Sequence, residues 1–137
     1  DARVAGYKKD IDCFFFETEN PAKMTHEEIE KNIRDSIDPR IRIHIWLKKY
    51  SGVILDFDYV QLALTPDSEP VYNLYLMAFM FNNDWIKKGG IPSNIMLKLI
   101  NKFAWIGFDR DPEKDPEYLK MKKQIIGKSI VKFIKKI

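Results

Sequence analysis

Cysteine is nearly missing from this chain. Cys13 is the single one in 137 residues, which excludes an intrachain disulfide and any zinc knuckle built from several thiolates. Its neighbours Phe14, Phe15 and Phe16 are apolar, so the thiol is expected to be buried and inert. Histidine is almost as scarce, with only His26 and His44. A metal site would need carboxylates from distant positions, and no Ser or Cys nucleophile has a base placed beside it. No metal and no cofactor is expected. Long apolar runs are absent as well. The longest, Leu74 to Phe81, has eight residues, whereas a membrane-crossing helix needs roughly 20. No signal-peptide pattern stands at the start and no Asn-x-Ser/Thr site occurs anywhere. The chain opens at Asp1 without a Met, so a mature or trimmed form is expected. Compartment leans intracellular, with a mature secreted form left open. Gly89-Gly90 lacks the Gly-Lys-Ser/Thr ending of a phosphate loop.

The residues that are present suit one globular domain spanning 1–137. Apolar residues make up 45% and charged residues 31%, which argues for a packed core rather than disorder. The net charge of +3 conceals a split: residues 118–137 carry seven Lys and no acid, while residues 1–117 carry 16 bases and 20 acids.

Along the chain, residues 1–10 read as a flexible lead-in. Residues 11–17 are apolar on both alternating faces, as in a buried strand. Thr25-His26-Glu27-Glu28 is a capping box. Ile29, Ile33 and Ile37 follow it at helical spacing, so residues 25–37 read as a helix ended before Pro39. Residues 41–47 alternate strictly, with Ile41, Ile43, Ile45 and Leu47 on one side and Arg42, His44 and Trp46 on the other. That period predicts a strand. Residues 53–64 read as a returning strand with a break in phase near Asp58. Residues 71–81 fit a strand by context and a helix by composition, and the strand is preferred. Residues 93–106 form a helix with Met96, Leu99, Ile100, Phe103 and Ile106 inward. Asp115-Pro116-Glu117 starts a last helix, read as running over 115–137.

The fold class expected is therefore α+β: a mostly antiparallel sheet packed with about three helices. An all-α bundle is the alternative. On a helical wheel, Leu119, Ile126, Ile130, Phe133, Ile134 and Ile137 face one way. Lys128, Lys132, Lys135 and Lys136 face the other, which describes a basic amphipathic helix.

Three function classes follow. The leading one is a small non-enzymatic module that holds a protein partner, with Arg42, His44 and Trp46 as a contact patch, since Arg and Trp are enriched at contact hot spots. The second is a binder of nucleic acid or an anionic membrane surface through Lys128, Lys132, Lys135 and Lys136. The third starts from Val53-Ile54-Leu55-Asp56-Phe57-Asp58, an apolar strand ending in Asp-x-Asp. It resembles the nucleophile motif of haloacid dehalogenase-like phosphatases. The resemblance implies that Asp56 attacks phosphorus, Asp58 serves as acid and base, and Mg²⁺ binds between them. That family also carries a downstream Lys and an acidic pair after further parallel strands, and too few strand–helix units follow residue 60 to supply them. Asp109, Asp111, Glu113 and Asp115 alternate in a loop, but without the ligand order of an EF-hand.

Overall fold

The computed structural model describes residues 11–134. It is an α+β domain built on one antiparallel sheet. The sheet holds β1 (Cys13–Glu19), β2 (Val53–Leu55), β3 (Leu74–Met80), β4 (Gly90–Pro92) and β5 (Ile130–Ile134), in the order β1-β3-β2-β5-β4. The helices are α1 (His26–Asp35), α2 (Pro39–His44), α3 (Asn83–Lys88), α4 (Ser93–Ala104) and α5 (Pro116–Ile125). None is long and apolar enough to cross a membrane.

Strand alternation divides the sheet into two faces. On the first, Leu55, Leu76, Ala78, Ile91 and Val131 pack against Met96, Ile100 and Ala104 of α4 and Tyr118, Met121 and Ile125 of α5. Tyr59, Val60 and Leu62 close that core from the segment after β2. On the second face, Ile54 and Met77 meet Ile43 of α2, with Phe16, Trp46, Leu47, Tyr75 and Ile134 around them. The second core is smaller, and α2 with the π-helical turn Ile45–Lys49 is its cover.

An antiparallel sheet is found as expected, with residues 71–81 entering it as β3, and the all-α bundle is not. Lys87, Lys88 and the left-handed Gly89 are helix-ending residues. They end the short α3, which Asn82 starts by accepting a hydrogen bond from the Trp85 amide at 3.1 Å.

Three expectations are corrected. Residues 41–47 are helical, not a strand. Asp38 caps the segment by accepting from the Arg40 amide at 2.9 Å, and Pro39 follows it as the first helical residue. The residues delivered to the sheet are Ile43, Trp46 and Leu47, a helical i, i+3, i+4 set. The alternating isoleucines therefore part company, with Ile43 buried and Ile41 exposed. Residues 53–64 supply only the three-residue β2. The chain then bends at Asp56 and Phe57 and touches the sheet again through a lone bridge between Gln61 and Val71.

The last helix is the largest correction. It does not span 115–137 but stops at Ile125. Ile126 turns extended, and Gly127 adopts a φ of +84°, which a side chain opposes. The chain then returns as β5 between β2 and β4. Ile130, Val131 and Ile134 are β-branched and favour that strand. The helical-wheel clustering of Ile130 and Ile134 with Ile126 and Phe133 is a coincidence of spacing, because Phe133 faces the main core with Val131 while Ile134 faces the other.

Candidate interaction surface

The capping box forms as the sequence indicates. Thr25 Oγ1 accepts from the Glu28 amide at 3.1 Å, and Glu28 Oε2 accepts from the Thr25 amide at 2.8 Å. The helix it starts is unusual in its packing, for α1 contains no buried residue. Ile29 is half-buried, but Ile33 is 46% exposed and Ile37 47%. Ile41, on the first turn of α2, is 55% exposed. An amphipathic helix ordinarily turns its stripe to a core. Here α1 ends at Asp35, Ser36 breaks the helix with φ −155° and ψ −118°, and Ile33, Ile37 and Ile41 face solvent from α1, the turn after it and α2. Segment 25–41 carries five carboxylates and three Lys and Arg side chains. The sequence shows the stripe but not that its own fold leaves it uncovered, and Ile41 was hidden by the strand-like alternation around it.

The patch expected from Arg42, His44 and Trp46 does not assemble. Helical geometry turns these residues apart. Arg42 pairs with Glu19 of β1 and donates to Ser36 Oγ at 3.2 Å and the Ile37 carbonyl at 3.0 Å. It thus ties the end of α1 to the sheet edge. Trp46 packs beside the second core, with its ring 5.2 Å from that of Phe16 and 5.7 Å from Tyr50. His44 alone stays exposed, in a cleft of about 270 Å³ shared with Asn20, Arg40 and Tyr75.

That cleft belongs to a longer groove. A cleft of about 300 Å³ adjoins it through Asn20 and Tyr75, and one of about 470 Å³ adjoins the second through Asp56 and Lys128. Lys128 and Lys132, both exposed, stand at the far end with Ser129. Neither forms an ion pair among the described residues. Lys135 and Lys136 lie outside the described residues. The groove thus gathers His44, Lys128 and Lys132 from separate elements, which no local pattern in the sequence could show.

Asp56 and Asp58 border the same groove, and both are exposed. Lys23 Nζ lies 3.7 Å from Asp58 Oδ1, and Gln124 Oε1 accepts from the Asp58 amide at 2.7 Å. The strand before them runs antiparallel to both neighbours, unlike the parallel sheet that the phosphatase resemblance implies. Among the described residues, no three His, Cys, Asp or Glu side chains gather as metal ligands would.

Other candidate groups have structural partners. Asp111 accepts from the Glu113 amide, and Asp115 accepts from the amides of Glu117 and Tyr118, so these loop acids are helix caps. Arg110, overlooked in the sequence, is the hinge pin of that loop. Its side chain is 8% exposed and lies 4.0 Å over the Phe108 ring. It pairs with Asp115 at 3.1 Å and donates to the carbonyls of Ala63 and Ile106. Cys13 is half-buried rather than fully buried. Burial, with Asp12 beside it, pushes its thiol up to about 11, so the reactive thiolate is suppressed at neutral pH.

Comparison with protein-family models, with curated proteins and with solved structures finds no match to this chain.

Proposed function

We propose that this protein is a small, non-enzymatic interaction module that holds a partner against the exposed isoleucines of α1, of α2 and of the turn between them. One observation carries the reading: Ile33, Ile37 and Ile41 stand about half exposed within nine residues, beside a helix that contains no fully buried residue. Exposed apolar side chains grouped within a charged rim are characteristic of contact surfaces. The surplus of five carboxylates over three Lys and Arg along 25–41 favours a partner whose own apolar side chains are ringed by Lys or Arg.

A synthetic amphipathic helix of Leu and Lys is a direct probe. Titrated into the ¹⁵N-labelled protein, it is expected to shift amide resonances of residues 29–41. The double variant Ile33→Glu/Ile37→Glu should lose those shifts while keeping the wild-type spectrum elsewhere. A Leu–Glu helix should leave the spectrum unchanged. No shifts with the Leu–Lys helix, or shifts centred on another surface, would overturn the reading.

A further inference from the structure

β1 stands at one end of the sheet and pairs only with β3 among the described residues. Its register fixes where each main-chain group points. The Phe81 amide donates to the Asp12 carbonyl at 2.8 Å, and the Asn20 amide to the Asn73 carbonyl at 2.7 Å. Both couples continue the register that sets Cys13 against Met80 and Glu19 against Leu74. In an antiparallel pair, bonded residues alternate with residues whose N–H and C=O turn the other way. Residues 12, 14, 16, 18 and 20 therefore bond toward β3. Cys13, Phe15, Glu17 and Glu19 turn their main-chain groups outward. Among the described residues, no main-chain group bonds to these outward ones.

An open edge is ordinarily blunted by shortness, by Pro or Lys, or by a bulge. The opposite edge follows that rule, for β4 has three residues and ends in Pro92. β1 does not. It runs for seven residues without a bulge and holds no Pro, Gly or Lys. Its two carboxylates are engaged inside the chain, Glu17 by the Tyr59 hydroxyl at 2.9 Å and Glu19 by Arg42. Phe14, on the second face, is 52% exposed even with the Phe81 ring 5.7 Å away. Such an edge accepts another extended strand.

We propose that the β1 edge is an interface between two copies of this chain, paired antiparallel about a two-fold axis at Phe15. The residues along the edge favour that occupant and that register. Phe15 then faces Phe15, and Cys13 of each molecule faces Glu17 of the other, so outward groups meet outward groups. Glu19 faces Ile11, and no carboxylate opposes another. An axis at Glu17 would set two carboxylates face to face. An axis at Phe16 would leave Phe14 opposite Thr18, without an aromatic partner. With the axis at Phe15, Phe14 of each molecule lies opposite Phe16 of the other. These are non-hydrogen-bonded positions, where side chains come closest. The exposed ring gains an aromatic cover that a strand of unrelated sequence would not supply. Each molecule uses the same edge, so the two sheets join and assembly stops at a dimer. The isoleucines of α1 and α2 take no part in this contact.

Sedimentation velocity and hydrogen exchange test this together. The mean mass should double as concentration rises from micromolar to millimolar. With free chain at about ten times the dissociation constant, the amides of Cys13, Phe15 and Glu17 should exchange about tenfold more slowly. Those of Phe14, Phe16 and Thr18 are bonded to β3 already and should change less. Glu17→Pro removes one outward N–H and should be monomeric. Glu17→Ala loses the same side chain but keeps the N–H, and should still dimerise. Phe14→Lys, at an exposed position, should also be monomeric. Thermal melting shows which variants are folded; should Glu17→Pro not fold, Phe14→Lys and the exchange pattern carry the test. A wild type that is monomeric at millimolar concentration overturns the inference, as does a dimer that survives Phe14→Lys. Equal loss of the dimer in Glu17→Ala and Glu17→Pro would assign the contact to the side chain and reject main-chain pairing. Outward amides protected equally at every concentration would mean that the edge is covered within one chain. Protection gained only from an added extended peptide of alternating Thr and Lys would reject the second copy as the occupant.

Discussion

Gly107 shows how much a single residue can decide. It follows α4 with a φ of +94°, and a Cβ there would stand 2.2 Å from the Leu64 carbonyl oxygen. That contact is with backbone, which cannot swing aside. Gly127 has a similar φ of +84° but nothing within 4 Å of such a Cβ. The two glycines separate conformational strain from steric conflict. Gly127→Ala should cost about 1 kcal/mol, the strain of the left-handed backbone alone. Gly107→Ala should cost about 2–4 kcal/mol, because the overlap adds to that strain. Urea unfolding of both variants checks the order, and equal losses would contradict the close approach. Gly107 stands directly after the helix read over 93–106, where a glycine is a common stop. Its approach to Leu64 is not legible there, because the two residues meet only after the chain has folded.

The elements differ in how far local chemistry determines them. α1 has its cap, first-turn acids and stripe all within 13 residues, and it forms as the sequence indicates. It also depends on that local chemistry, since tertiary burial adds little to it. Thr25→Ala removes the hydrogen bond to the Glu28 amide and should cost about 1 kcal/mol. Hydrogen exchange should show the loss as faster opening of residues 26–35 with the sheet amides unchanged. Uniform acceleration across the sheet would mean that α1 is coupled to the core more tightly than its exposure indicates. Residues 41–47 carry the opposite lesson. Period-two alternation of isoleucine reads as a strand, yet Asp38-Pro39 starts a helix that covers the second face of the sheet. Residues 126–134 fail in the same manner. Ile126, Ile130, Phe133 and Ile134 share one side of a helical wheel, yet in the strand Phe133 and Ile134 point to opposite cores, and pairing between β2 and β4 decides.

At the scale of the whole molecule, contacts between distant segments set the stability. The Tyr59 hydroxyl donates to Glu17 Oε2 at 2.9 Å, fastening the segment after β2 to β1. Burial, together with the Glu17 carboxylate, pushes the Tyr59 phenol far above its ordinary value. Below about pH 10, folded and unfolded chains both keep this proton and pH has no leverage through it. Above that, the unfolded chain releases the proton and the folded chain keeps it, so stability falls as pH rises. Tyr59→Phe should lose about 1 kcal/mol at neutral pH with its hydrogen bond, and its stability should then decline less steeply between pH 9 and 11. Tyr72, Tyr75, Cys13 and Lys122, whose protons are also held more tightly than usual, contribute to the slope that remains. Denaturant unfolding across that range measures both effects, and parallel curves for the two proteins would reject the assignment to Tyr59. The candidate surfaces are likewise properties of the whole molecule. His44, Lys128 and Lys132 share a groove only because β2, β5 and α2 converge on one face of the sheet. Arg42 and Trp46 leave the expected patch because their segment coils. From the sequence alone come the α+β class, the helix starts at Thr25 and Asp115, a strand within 71–81 and the basic character of the C-terminal segment, for each rests on a cap, a neighbouring turn or a charge count within a short stretch. Only the tertiary structure decides that 130–134 is a strand and that Ile33, Ile37 and Ile41 stay exposed. Whether an apolar stripe is buried depends on what packs against it, and that is settled between segments rather than within one.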